Sequence, residues 1–98
     1  MSLQEHTETV REKTADLDDL NKKIKFDLKE EGIIHVDATI SPPVVTNDDL
    51  EADVTFVMSL ENFEALMEGD LNPQMAFMMG KLKIEGDMGL ALKLADIF

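Results

Sequence analysis

Between residues 23 and 40 the chain alternates apolar and polar side chains in two successive runs, which restricts it to a sheet with one dry face. Ile24, Phe26 and Leu28 fall on one side of an extended chain, and Lys23, Lys25, Asp27 and Lys29 on the other. Successive side chains of a strand point to opposite faces, so this run is a half-buried strand. Glu30-Glu31-Gly32 turns the chain, and Ile34, Val36, Ala38 and Ile40 then alternate with His35, Asp37 and Thr39. The two runs make a hairpin. Pro42-Pro43 ends it, because proline donates no ladder hydrogen bond. Residues 44–46 make a short edge strand. Residues 53–58 make a fourth strand, with Val54, Phe56 and Met58 on one face, and residues 81–85 a fifth, with Leu82 and Ile84 inward. The outcome is an α+β chain whose sheet is a single antiparallel or mixed layer, wet on one side and covered by helices on the other.

The helices are marked by caps and stripes. Over residues 2–14, Ser2 and Glu5 have capping-box spacing, and Leu3, His6 and Val10 form a thin apolar face, so this helix lies on the surface of the rest. An acidic loop follows at residues 16–21. Ser59 caps a helix that runs to Glu68 with Leu60, Phe63, Leu66 and Met67 as its stripe, and Gly69 closes it. Asn72-Pro73 opens another, with Met75, Met78 and Met79 on one side and Gly80 at its end. The last helix covers residues 88–98. At ~100° per residue its apolar side chains span about 220°, more than a helix on one sheet needs. The surplus must face the methionine helix, a ligand or another subunit.

Composition narrows the function. The 98 residues suffice for one domain, 1–98, with a modest core. The net charge of −12 repels nucleic acid and anionic bilayers, and it serves solubility or a basic partner protein. No apolar run is long enough to span a membrane, so no integral membrane association is expected. The polar start is no secretory signal, the end is no peroxisomal address, and the expected compartment is cytoplasmic. There is no cysteine, hence no disulfide or thiolate chemistry. His6 and His35, the two histidines, lie beside acids on faces expected to be exposed, which gives neither a metal site nor a general base. The paired acids Asp18-Asp19, Glu30-Glu31 and Asp48-Asp49 fall in turns, where hydrated charge is the ordinary arrangement. The serines lack a nucleophile motif, and Gly86-Asp87-Met88-Gly89 lacks the lysine of a phosphate loop. No enzyme activity and no cofactor are expected. Five of the seven methionines (Met67, Met75, Met78, Met79, Met88) are adaptable apolar side chains, suited to a variable ligand surface or to filling a core.

Within residues 52–94 stand Ala52-Asp53-Val54-Thr55-Phe56, the segment 63–69, Asn72-Pro73…Ala76-Phe77, and Gly80-Lys81-Leu82-Lys83-Ile84 followed by Gly86 and by Met88-Gly89-Leu90-Ala91…Lys93-Leu94. This string resembles the sterol carrier protein type 2 family, the non-specific lipid-transfer proteins. It covers nearly half of the chain. The N-terminal half matches in its order of helix then hairpin. The resemblance implies a five-stranded, mainly antiparallel sheet with helices packed on one face and an apolar tunnel between. It also implies loose binding of sterols, fatty acids, fatty acyl-CoA or phospholipids, with the C-terminal helix over the tunnel. The shorter length and the missing peroxisomal tail suggest a short bacterial-type member. The residues that match the family's ligand-facing segments are Phe63, Leu66, Met67, Met75, Phe77, Met79, Leu90, Leu92 and Leu94.

The reading that follows is a non-catalytic carrier of a lipid or other apolar small molecule. The alternative is an interaction module whose groove docks a partner helix or presents a hydrophobic intermediate to a lipid-metabolising enzyme. On the last helix, Leu90, Leu94 and Ile97 lie at one side of the apolar arc, and Met88, Ala91 and Ala95 at the other. Leucines at i and i+4 make the better wall for an acyl chain, which assigns the ligand to the leucine side.

Overall fold

The computed structural model describes residues 3–17 and 20–95. Along the chain come α1 (Leu3–Thr14), β1 (Lys23–Asp27), a 3-10 turn (Lys29–Glu31), β2 (Ile33–Asp37), β3 (Val44–Thr46), β4 (Val54–Val57), α2 (Leu60–Glu68), α3 (Pro73–Met78), β5 (Lys83–Gly86) and α4 (Met88–Ala95). The strands form one sheet in the order β3-β2-β1-β4-β5. Three pairings are antiparallel, and the central one, β1 with β4, is parallel. Ile24 lies between Val36 and Val54, and Phe26 between Ile34 and Phe56, so one face of three strands is a continuous buried apolar layer. Helix α1 lies over β2 and β3, and α4 over β4 and β5, on that dry face.

Most elements start and stop where their residues dictate, and the departures have local causes. Strand β2 ends at Asp37 because its carboxylate accepts hydrogen bonds from the hydroxyl and backbone N–H of Thr39, which turns the chain. Those bonds, the hydroxyl's foremost, hold the Asp37 carboxyl below its ordinary value. Ile40, expected inward on the same strand, is therefore beyond it and half exposed. Strand β5 begins two residues later than its pattern suggests. The backbone N–H groups of Lys81 and Leu82 both donate to the Ala76 carbonyl, which closes α3 and leaves neither for the sheet.

Both histidines, expected on exposed faces, are only 2% exposed. His6 sits edge-on to Phe63, with ring centroids 5.3 Å apart, and its Nε2 lies 3.4 Å from a carboxylate oxygen of Glu64. His35 points to the sheet face opposite the helices. Residues 47–53 fold across part of that face: the Glu51 carbonyl lies 2.8 Å from His35 Nε2, and Lys25 Nζ donates to Asp49 at 2.8 Å. The face expected to be wet is thus partly covered by a loop that local alternation cannot reveal. Helix α1 is anchored by Val10 and by two threonines, Thr7 and Thr14, whose hydroxyls donate to carbonyls four residues back. That internal bonding lets polar side chains occupy its buried stripe. The Ser2 cap, the Asp18-Asp19 pair and the helical turn at residues 96–98 lie outside the described residues.

Gly86 is the point where β5 meets β4 most closely. It pairs with Val54 at φ +100°, and a Cβ there would lie 2.4 Å from the Asp53 carbonyl oxygen. Backbone strain and backbone overlap would act together. Gly86→Ala is expected to cost about 2–3 kcal/mol. Urea denaturation measures this, and an unshifted midpoint would contradict the close approach.

Candidate functional site

Three capped helix starts set the geometry on the dry face. The Ser59 hydroxyl accepts from the Asn62 N–H at 3.1 Å and starts α2, and Gly69 ends it in the left-handed region at φ +82°. The Asn72 side chain accepts from the N–H groups of Gln74 and Met75 and starts α3, with Pro73 at the first helical position. Asp87 does the same for α4 by accepting from the Leu90 N–H at 3.0 Å. These caps satisfy N–H groups that a helix cannot satisfy internally, and so fix where each helix leaves the sheet.

Between these helices and the sheet lies a cavity of about 160 Å³. Its floor is Phe26 of β1, Phe56 of β4, Ile84 of β5 and the adjoining Met58 and Leu82. Leu66 and Met67 come from α2, and Pro73, Gln74, Phe77 and Met78 from α3. Met88, Ala91, Leu92 and Ala95 of α4 complete the wall. Among the described residues of this lining Gln74 is the one polar side chain, and none is charged. The floor is braced: Phe26 and Phe56 stack with centroids 5.5 Å apart, and the buried Phe63 meets Phe26 edge-on at 5.7 Å. The rim is open, since Phe77, Met78, Met88 and Leu92 line the cavity and remain substantially exposed.

The nine residues singled out from the sequence fall into three groups. Leu66, Met67, Phe77 and Leu92 line the cavity. Phe63, Leu90 and Leu94 are buried in the core beside or behind it. Met75 and Met79 are exposed and outside the lining. On helix α4, Leu90 and Leu94, the side expected to meet a ligand, lie in the core, while Met88, Ala91 and Ala95 line the cavity. The physical reason is volume. Long leucine side chains fill space between helix and sheet, and a hollow persists where two alanines leave it unfilled. The floor residues Phe26, Phe56, Met58, Leu82 and Ile84 were legible as inward-facing but not as lining a cavity. Gln74, Pro73 and the two alanines carried no sequence signal beyond helix capping and arc position.

A second recess, on the opposite face, is lined by Lys23, His35, Asp37, Val44, Thr46, Leu50 and Glu51, a mainly polar set. Among the described residues no group of three or more His, Asp or Glu side chains is placed to hold a metal ion. No helix among them is long and apolar enough to cross a membrane.

A one-sheet α+β fold with helices on one face and an apolar cavity between them defines a class of small lipid-binding domains. The chain belongs to the SCP-2 sterol transfer family, whose model matches residues 2–98. It is 54% identical over 54 residues to human sterol carrier protein 2, a match covering 55% of this chain and 10% of that protein. It is also 55% identical over 47 residues to the hydroxysteroid dehydrogenase-like protein 2 of Xenopus laevis, covering 48% of this chain and 11% of that one. The chain thus spans about a tenth of the length of these curated relatives. Among solved structures, it is similar to sterol carrier protein 2 from Yarrowia lipolytica in its apo form, with TM-score 0.77 and 25% identity over 93% of this chain and 84% of that one. It is likewise similar to the sterol carrier protein domain 2 of Helicoverpa armigera, with TM-score 0.73 and 35% identity over 92% and 76% of the two chains.

Proposed function

We propose that this chain, as a single domain, binds the apolar part of a lipid in the cavity between α3, α4 and the sheet, and carries it without chemical change. The observation that carries the reading is the lining itself: among the described residues, fourteen apolar side chains and Gln74, with an open rim. Such a surface gains free energy by leaving water and offers no acid, base or nucleophile to a bound molecule. Membership of a sterol transfer family supports carriage, and the ligands that the sequence resemblance implies (fatty acid, fatty acyl-CoA, sterol or phospholipid) are the candidates. Helix α4 is one wall of the site and closes it against solvent on the side of Ala91 and Ala95. A cytoplasmic setting suits this reading.

Titration with a fluorescent long-chain fatty acid tests it. Burying ~0.8 kcal/mol per methylene, less the cost of association, leads to a dissociation constant of about a micromolar. Added salt should change it little, because apolar burial is the main contribution. No saturable binding up to about 100 micromolar would refute the proposal, since affinity that weak leaves the apolar lining without effect. The accessory-module reading draws on Met75 and Met79, which are exposed and outside the lining of this cavity. Mass spectrometry of gently purified protein separates the two: a carrier retains lipid, and a docking module does not.

A further inference from the structure

We propose that the cavity selects single, unbranched aliphatic chains over fused-ring sterols and two-chain phospholipids, and that it reads the chain and not the headgroup. The proposal rests on the carrier reading above and narrows its ligand class. The first argument is size. The cavity is about 160 Å³ and opens at its rim, and an apolar protein cavity of about 150 Å³ holds a single benzene ring. A sterol nucleus has four fused rings that can neither fold nor pass one at a time. A straight chain is thin. Its distal methylenes can occupy the enclosed part, and the remainder can lie along Phe77, Met78, Met88 and Leu92, the half-open rim.

The second argument is which walls can give way. On the floor, Phe26 stacks on Phe56 and meets Phe63, which is 0% exposed, edge-on. Moving these rings would open voids in a close-packed core, so the floor cannot drop to admit a rigid ring system. The adaptable side chains are Met67, Met78 and Met88. Methionines reshape easily to follow a bend in a chain. They widen a slot without deepening it.

The third argument is the headgroup. No Lys, Arg or His lines the cavity, so a carboxylate or phosphate finds no counter-charge there. Gln74 offers a neutral amide at the first turn of α3. A headgroup therefore stays in water at the rim, and an acid, an alcohol or a thioester on the same chain should bind alike.

Displacement of a fluorescent straight-chain fatty acid from the full chain reads all three points. Fatty acids and primary alcohols of about eight to sixteen carbons are expected to tighten about fourfold per added methylene until the slot is full. Acid and alcohol of equal length are expected to agree within about threefold, and cholesterol to bind at least about thirtyfold more weakly than the best chain, a gap of roughly 2 kcal/mol. Met67→Ala, which enlarges the slot at a half-buried wall, should narrow that gap while the protein keeps its cooperative unfolding. Cholesterol binding within threefold of the straight chains would overturn the selectivity while leaving carriage intact, as would an acid that binds where its alcohol does not. If neither fluorescent probe nor sterol binds, the carrier reading fails and the selectivity with it.

Discussion

Leu94→Asp is expected to abolish the folded state, whereas Leu92→Asp, two positions earlier, leaves it intact. Leu94 is 0% exposed and belongs to the core cluster with Leu90 and Ala91, while Leu92 is 61% exposed at the cavity rim. Truncating a buried leucine costs about 2–5 kcal/mol through lost burial and the hollow left behind. An aspartate adds the desolvation of a carboxylate with no cation beside it, several kcal/mol more, or else the cost of protonating it. A domain of this length has roughly 5–15 kcal/mol in total. The sum exceeds or consumes it. Circular dichroism with urea denaturation should show no cooperative transition for Leu94→Asp and a midpoint near the parent's for Leu92→Asp. A cooperative Leu94→Asp with an unchanged midpoint would return that side of α4 to the ligand, as the bulk of its leucines suggested. On the proposed function Leu92→Asp also loses affinity for fatty acid, because the charge sits where the chain would lie.

Filling the cavity from the other side of the same helix gives the second large effect. Ala91 is buried and lines the cavity. Ala91→Trp places an indole in that space, with little of the roughly 1–3 kcal/mol strain that overpacking a full core incurs. The free protein should therefore unfold within about 1 kcal/mol of the parent, since lost void offsets added crowding. Fatty acid affinity should fall at least about a hundredfold, nearly 3 kcal/mol. The native chain has no tryptophan, so the introduced indole reports its own surroundings. A blue-shifted emission maximum confirms that it occupies the apolar cavity. A folded variant with buried indole and undiminished binding would place the ligand elsewhere.

How much of this was legible beforehand depends on what each pattern encodes. Alternation at Ile24, Phe26, Ile34 and Val36 identifies strands because it reflects the geometry of the extended chain itself. Ser59, Asn72 and Pro73 mark helix starts for an equally local reason. The parallel union of β1 and β4 is not local. The pattern on Lys23–Asp27 is the same whichever direction its neighbour runs, and the sequence alone left the sheet antiparallel or mixed. The burial of His35 beneath Glu51 is invisible for a similar reason, since it depends on where a loop falls. The cavity is not local either. Hydrophobicity says that a side chain avoids water, and not whether protein or ligand replaces the water. Bulk at i and i+4 points to Leu90 and Leu94 as a wall, whereas both are buried in the core. The cavity forms where bulk is lacking, beside Ala91 and Ala95, and that can be recognised only once the neighbours are placed.

The parallel seam also orders events in time. Strand β1 meets β2 across a short turn, yet its other edge waits for Val54–Val57. Ribosomes deliver the chain from its amino end. A nascent segment can therefore hold a finished hairpin with Phe26 on a bare edge while fourteen of the fifteen cavity-lining side chains among the described residues are still to be made. Joining β4 to that edge closes a long loop before it is rewarded by contacts, which makes it a slow step. During that wait the incomplete sheet is a sticky template for other strands. The cavity thus takes shape only after the hairpin, and a lipid met earlier could find only an unpaired edge.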